Sequence, residues 1–223
     1  AKSSLDEMAG EGANTVNFHN TWQRAQDDAE LTEKLALWQE YLDYAQDRDV
    51  KIITSVSAGG WTQLFDEQGG VALRRFQRLI KVLSRHPALL GYNISDEPEC
   101  RAEPVKPLER IRRLIERWDA NPDHLVQVVF NEVPYEDWCR QDWKEYLPVL
   151  DTFQVDRYPI CRQFSYFSHG AGDPGAWGGG RCAWEISHAV AAIENSAQRN
   201  PVIVLQGMGK NYYEGGYHWR DPL

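Results

Sequence analysis

No stretch of this chain approaches the roughly 18 to 20 consecutive apolar residues needed to cross a bilayer. Its apolar runs, such as Lys51 to Val56 and Pro201 to Leu205, have strand length, so a membrane is not an expected partner. Basic residues are in the minority, 24 Lys and Arg against 33 Asp and Glu, for a formal net charge of −9. The densest basic cluster, Arg110, Arg112 and Arg113, falls inside an amphipathic pattern and forms no patch. Nucleic acid is therefore not an expected partner either, because phosphate binding draws on clustered Lys and Arg. No phosphate-binding glycine loop follows any apolar run, and Gly178-Gly179-Gly180 opens no strand-to-helix turn, which removes the main support for a nucleotide. Cys-x-x-Cys is absent, and His169, His188 and His218 lack ligand spacing with one another, so neither a metal nor a cofactor is expected. Without a Gly-x-Ser-x-Gly elbow, a barrel lyase or esterase reading has little to stand on.

What the chain does have is aromatic surface. Of its 223 residues, 42% are hydrophobic, 26% charged and 12% aromatic, with nine Trp and ten Tyr. That exceeds what a core of this size needs, and the surplus suits a surface that binds something flat and hydroxylated, carbohydrate first of all. The chain begins at Ala1 without Met, the segment Ala1 to Met8 reads as the end of a helix, and Arg220 to Leu223 reads as a turn. It is taken as an internal piece of a larger protein, truncated at both ends.

Short apolar, β-branched runs recur at Thr15 to Phe18, Lys51 to Val56, Leu89 to Ile94, Leu125 to Phe130, Thr152 to Val155 and Val202 to Leu205. Each reads as a buried strand. Between them apolar residues step by three or four: Leu31, Leu35, Trp38, Leu42 and Ala45; Leu73, Phe76, Ile80 and Leu83; Leu108, Ile111, Ile115 and Trp118; and Ile186, Val190, Ile193 and Ala197. Strand starts about 37 residues apart predict an α/β chain with a parallel sheet. Every strand ends in polar or aromatic residues: His19-Asn20, Ser57 with Trp61, Asp96-Glu97, Asn131-Glu132, Asp156 with Tyr158, and Gln206. Chemistry gathered at the carboxyl ends of many strands predicts a (β/α)₈ TIM barrel over an open doubly wound sheet. Six strands preceded by a helix make it incomplete, with strands two to seven present and strands one and eight missing. Residues 1–223 form a single domain in this reading.

The most informative stretch is Leu89 to Glu99, where an apolar strand runs directly into Asp96, Glu97 and Pro98. A carboxyl held at a barrel mouth against apolar walls has its pKa raised and can act as a general acid. Alternatively, Asp96 caps the next helix and Glu97 pairs with an arginine. The run Gly-Tyr-x-x-x-Asp-Glu-Pro (Gly91 to Pro98), then Asp156-Arg157-Tyr158-Pro159-Ile160, then Pro201 to Gly209 ending in Leu-Gln-Gly-Met-Gly, resembles the glycoside hydrolase barrels related to clan A, over essentially the whole chain. The resemblance implies an acid/base Glu at the end of strand four, usually preceded by Asn, and a nucleophilic Glu at the end of strand seven. Glu97 matches the first position, with Asp96 where Asn is usual. Gln206 falls near the second, and Gln cannot serve as a carboxylate nucleophile.

Two carboxylates are candidates to complete a pair with Glu97. Asp156 and Glu132 end the strands that would be six and five of the barrel, and an inverting glycosidase needs carboxyl groups roughly 6.5 to 9.5 Å apart with room for water. Asp156 suits that separation better; its alternative role is to bind Arg157, a backbone amide or a sugar hydroxyl. Glu132 is read as a substrate-binding residue, together with His19, Asn20, Trp61, Asp96, Asn131, Tyr158 and Gln206. Among the aromatic residues that follow strands, Trp22, Trp61, Trp138, Trp143, Trp177, Tyr212, Tyr213 and Trp219 are candidates for stacking on sugar faces, although Trp143 has a packing alternative, as Trp38 and Trp118 do. Cys100, Cys139, Cys161 and Cys182 all follow strands on one face. Loop adjacency favours Cys100 with Cys139 and Cys161 with Cys182, which would imply an extracellular or periplasmic location; four reduced thiols are the other reading. The expected function is hydrolysis of O-glycosidic bonds in a poly- or oligosaccharide with Glu97 as general acid. The alternative is a non-catalytic carbohydrate-binding barrel that has lost its strand-seven nucleophile.

Overall fold

The computed structural model describes residues 2–10, 12–18, 25–130, 142–156 and 202–204. In chain order they form α1 (Lys2–Gly10), β1 (Thr15–Phe18), α2 (Asp28–Gln46), β2 (Lys51–Ser55), α3 (Ala58–Gln68), α4 (Gly70–Leu83), β3 (Leu89–Asp96), α5 (Pro98–Arg101), α6 (Val105–Trp118), β4 (Leu125–Phe130), a 3₁₀ helix (Trp143–Val149), β5 (Gln154–Asp156) and β6 (Val202–Val204). All six expected strands are present. The expected helix over Ile186 to Ala197 lies outside the described residues. Helix α3 follows no apolar spacing singled out from the sequence, and two glycines, Gly59 and Gly60, stand in its first turn; Ser57 starts it by accepting from the Gly60 N–H at 3.2 Å. Helix α2 has a reciprocal start, with Asp27 accepting from the Glu30 N–H at 2.8 Å while the Glu30 carboxylate accepts from the Gln26 N–H at 2.7 Å.

The six strands pair in parallel in the order β1-β2-β3-β4-β5-β6. A doubly wound sheet reverses its strand order at a switch point, and this one does not. The side-chain amide of Asn17 in β1 donates to Oε1 of Gln154 in β5 at 2.7 Å. In a flat sheet those strands would stand about 19 Å apart, four spacings of about 4.8 Å. The bond therefore requires the sheet to curl until β1 and β5 face each other across its concave side, as in a barrel wall.

The two faces differ chemically. On the helix side, Phe18, Ile52, Tyr92, Ile94, Val128 and Phe130 join one apolar cluster with Leu31, Phe76, Leu79, Leu108 and Ile111. Alternate residues put Asn17, Ser55, Asn93, Gln127 and Gln154 on the other face, where Ser55, Asn93 and Gln127 stand in one register row. Ile53 and Val129, buried but outside the helix-side cluster, belong to this inner face as well.

Strands β3 and β4 approach closely at Gly91, where an added Cβ would stand 2.2 Å from the Leu125 carbonyl oxygen and 2.9 Å from its carbon and nitrogen. Backbone cannot yield as a flexible side chain would. Gly91→Ala is expected to push the two strands apart and destabilise the fold by about 1–3 kcal/mol, the range for overpacking a close contact. Urea unfolding followed by circular dichroism checks this, and an unchanged midpoint would refute the close-approach requirement.

Candidate functional site

The apolar strand β3 ends at Asp96, which stands opposite Val129 of β4. Glu97 carries the ladder one step further, donating its N–H to the Val129 carbonyl at 2.7 Å, yet its backbone is already left-handed, at φ 47 and ψ 49. That conformation costs a non-glycine residue roughly 1–2 kcal/mol, and it turns the chain sharply off the strand. Pro98 follows at the start of the one-turn helix α5, where its fixed φ suits the first helical position. The geometry keeps Glu97 half-buried at the corner, with Pro98 and Glu99 buried beneath it.

A second left-handed residue, Ala102 at φ 51, closes the short loop. Glu103 then returns toward the start of α5, its N–H donating to the Pro98 carbonyl at 2.9 Å. The Glu103 carboxylate accepts from the Ser95 hydroxyl, and its carbonyl accepts from the Tyr146 hydroxyl at 2.7 Å. Burial pushes the Tyr146 phenol well above its ordinary pKa, and the Glu103 and Glu99 carboxylates add to that, so it stays protonated as a donor.

Asp156 is the last residue of β5 and pairs with Val204 of β6. Val129 of β4 stands opposite Asp96 on one side and Gln154 on the other, so β3 and β5 flank one strand and end toward the same mouth. Two strand spacings put these ends about 10 Å apart at the backbone.

The structure places Trp61 elsewhere than expected. It belongs to α3, is fully buried, and packs against Phe76 and Phe65 at centroid distances of 5.0 and 6.2 Å, so it offers no face to a sugar. Trp143 is likewise buried, 6.0 Å from Phe130 and 6.1 Å from Phe153, and takes its packing alternative. Trp38 and Trp118 pack as expected, 5.7 Å from Phe18 and 6.2 Å from Phe76. His19, Asn20, Asn131, Glu132, Tyr158 and Gln206 lie outside the described residues, as do Trp22, Trp138, Trp177, Tyr212, Tyr213 and Trp219. The residues that sequence reasoning missed are Glu103 and Tyr146, which follow no motif and meet only through folding.

A second buried polar cluster serves the fold. Asp119 accepts from the Tyr92 hydroxyl at 2.7 Å and the Asn121 N–H at 2.7 Å, and lies 3.0 Å from Nδ1 of His124. It occupies the connection into the amino end of β4, the barrel end associated with stability. Among the described residues, no three His, Cys, Asp or Glu side chains converge as metal ligands.

No family model and no curated protein matches this sequence. Solved structures do. The β-1,4-D-mannanase from Cryptopygus antarcticus aligns at TM-score 0.55 and 14% identity, over 94% of this chain and 77% of its own. The β-glucuronidase from Ruminococcus gnavus aligns at TM-score 0.51 and 14% identity, over 98% of this chain and 34% of its own. The same enzyme in complex with D-glucuronic acid gives TM-score 0.52 at 15% identity, over 98% of this chain and 33% of its own. The chain thus spans about a third of the glucuronidase's length and three quarters of the mannanase's. The likeness shows that this chain has a partial, TIM-barrel-like α/β fold.

The left-handed corner has a measurable signature. Glu97→Gly and Glu97→Ala both delete the carboxyl, but only glycine adopts positive φ without steric cost, so the Gly variant should be the more stable by about 1 kcal/mol. For a chain of this size that is a difference of roughly 2–4 °C in Tm. An Ala variant as stable as the Gly variant would show that residue 97 is not held left-handed in solution.

Proposed function

We propose that the chain is the greater part of a (β/α)₈ glycosidase domain, with β1–β6 as barrel strands two to seven, and that it hydrolyses O-glycosidic bonds with Glu97 as general acid. The observation that carries this reading is the placement of Glu97 at a strained, half-buried corner at the carboxyl end of β3, two strands from the end of β5. Strained backbone persists where the surroundings over-determine it, and such positions cluster at functional sites. The solved neighbours, named for β-1,4-mannan and β-glucuronide hydrolysis, support a carbohydrate substrate.

In this mechanism Glu97 gives its proton to the glycosidic oxygen as the bond to the anomeric carbon breaks. Asp156 takes a proton from a water that attacks that carbon from the opposite face, and the anomeric configuration inverts. Glu97 and Asp156 stand on strand ends two places apart in the sheet, and an inverting pair keeps its carboxyl groups roughly 6.5–9.5 Å apart with room for that water. Asp96, beside Glu97 in the position where the related barrels usually carry Asn, contacts the sugar, as do His19, Asn20, Asn131, Glu132, Tyr158 and Gln206.

In full-length protein, Glu97→Gln should lower kcat/KM by about 10²–10⁴ on an unactivated oligosaccharide, the usual contribution of a positioned acid. The loss should shrink on a dinitrophenyl glycoside, whose leaving group departs without protonation. Asp156→Asn should abolish cleavage of both. Wild-type rates in Glu97→Gln would overturn the acid assignment. A glycan bound tightly yet left intact by the wild type would instead favour the non-cleaving barrel that Gln206 suggests.

The same reading has Cys100 bridged to Cys139 and Cys161 to Cys182, fixing loops at the mouth of an extracellular or periplasmic protein. Cys100 supports this by its place in α5, three residues after Glu97. Mass spectrometry without reductant should find two disulfides in native full-length protein, and four alkylatable thiols would remove both the bridges and the location.

A further inference from the structure

The geometry assigns to Glu103 the role of positioning residue for Glu97, an inference that rests on the reading of Glu97 as the general acid. The loop between them begins and ends on left-handed non-glycine residues, Glu97 and Ala102, and neither conformation is one that an isolated chain favours. Something must hold both: beside the Glu97 N–H on the Val129 carbonyl and the Ala102 N–H on the α5 carbonyls, three hydrogen bonds around the loop converge on Glu103. Its N–H ties it to the carbonyl of Pro98, the residue after Glu97, at 2.9 Å. Its carboxylate accepts from the hydroxyl of Ser95, two residues before Glu97. Its carbonyl accepts from Tyr146 of the 3₁₀ helix at 2.7 Å. The carboxylate also reaches the first turn of α3, where a Cβ on Gly59 would lie 3.3 Å from Oε1, so glycine there leaves the carboxylate its place beside the helix start.

One residue therefore joins both sides of the Glu97 corner to two neighbouring elements. The Glu103 side chain is only 17% exposed, and the nearby Arg101 guanidinium is 4.0 Å away and itself 55% exposed, so this is an inward clamp and not a surface ion pair. Loss of the clamp should let the corner relax and displace the acid from the glycosidic oxygen. A displacement of about 1 Å costs on the order of 10² in rate.

In full-length protein, Glu103→Ala should reduce kcat/KM on an unactivated oligosaccharide by about 10², with KM little changed. On a dinitrophenyl glycoside the loss should be several times smaller, because that substrate bypasses the acid. Glu103→Gln keeps an acceptor for Ser95 and should recover most of the activity. An equal loss on both substrates, or no loss on either, would overturn the role. If Glu103→Ala does not fold, Ser95→Ala, which removes only the hydroxyl, carries the same comparison.

Glu97→Gln assayed in parallel separates the two ideas. Wild-type activity in that variant sinks the acid assignment, whereas an inactive Glu97→Gln beside an unimpaired Glu103→Ala sinks only the clamp. A stability measurement tests the clamp without any activity. The Tm advantage of Glu97→Gly over Glu97→Ala should disappear when Glu103→Ala is added to both. The same advantage in both backgrounds would show that Glu103 does not hold the corner.

Discussion

The hydrogen bond between the side chains of Asn17 and Gln154 is the contact on which the rest of the architecture depends. It joins strands that are four places apart in the sheet, so it exists only if the sheet is curved, and curvature turns a parallel sheet into a barrel wall with a mouth. The worth of one such bond is modest, on the order of 1 kcal/mol. Its geometric demand is large, because it must bridge two strands that a flat sheet would hold about 19 Å apart. Barrel interiors are more often filled by Val, Ile and Leu. Here the inner row of Ser55, Asn93 and Gln127, with the Asn17–Gln154 pair, is polar and shares the inner face with Ile53 and Val129, while Ile52, Tyr92, Ile94, Val128 and Phe130 face the helices.

Curvature brings the strand ends together, and local chemistry then shapes the corner where Glu97 stands. The β3 ladder reaches one residue past the strand through the Glu97 N–H, and Pro98 cannot extend it because it has no N–H to donate. The chain must turn at that point, and it does so with a left-handed glutamate. A glycine would make the turn at lower conformational cost but would carry no carboxyl. Retaining Glu97 there is the kind of local conflict that well-folded chains keep at functional sites and compensate through surrounding bonds. Glu103, Ser95 and Tyr146 supply those bonds, in an element order that places the compensating groups on β3, the loop after α5 and the 3₁₀ helix.

Periodicity carried most of the fold. Six apolar runs of strand length and the three-to-four-residue spacing of Leu31 to Ala45, Leu73 to Leu83 and Leu108 to Trp118 were enough to place the strands and helices, since burial of one face constrains each element locally. Where the pattern failed, a competing local rule was at work. Gly59 and Gly60 stand in the first turn of α3, and Trp61, read as a surface ring after a strand, was drawn into the core once that helix formed and aligned it with Phe65 and Phe76. An aromatic residue just past a strand has the same sequence appearance whether it lines a mouth or fills a core; only the helix phase distinguishes them.

The sequence by itself determined the alternation of strand and helix, the parallel sheet and the arrival of Asp96 and Glu97 at a strand end, because each follows from hydrophobic spacing within some ten residues and from a proline that stops the ladder. Tertiary structure alone decided that Asn17 meets Gln154, that Gly91 must leave room for the Leu125 backbone, and that Glu103 and Tyr146 close around the corner at Glu97. These contacts join residues from 34 to 137 positions apart or depend on how closely two backbones approach, apart from the short return of Glu103 to Ser95. Local propensity carries no information about such distances, which are set by the curvature of the sheet and the packing of helices on its outer face.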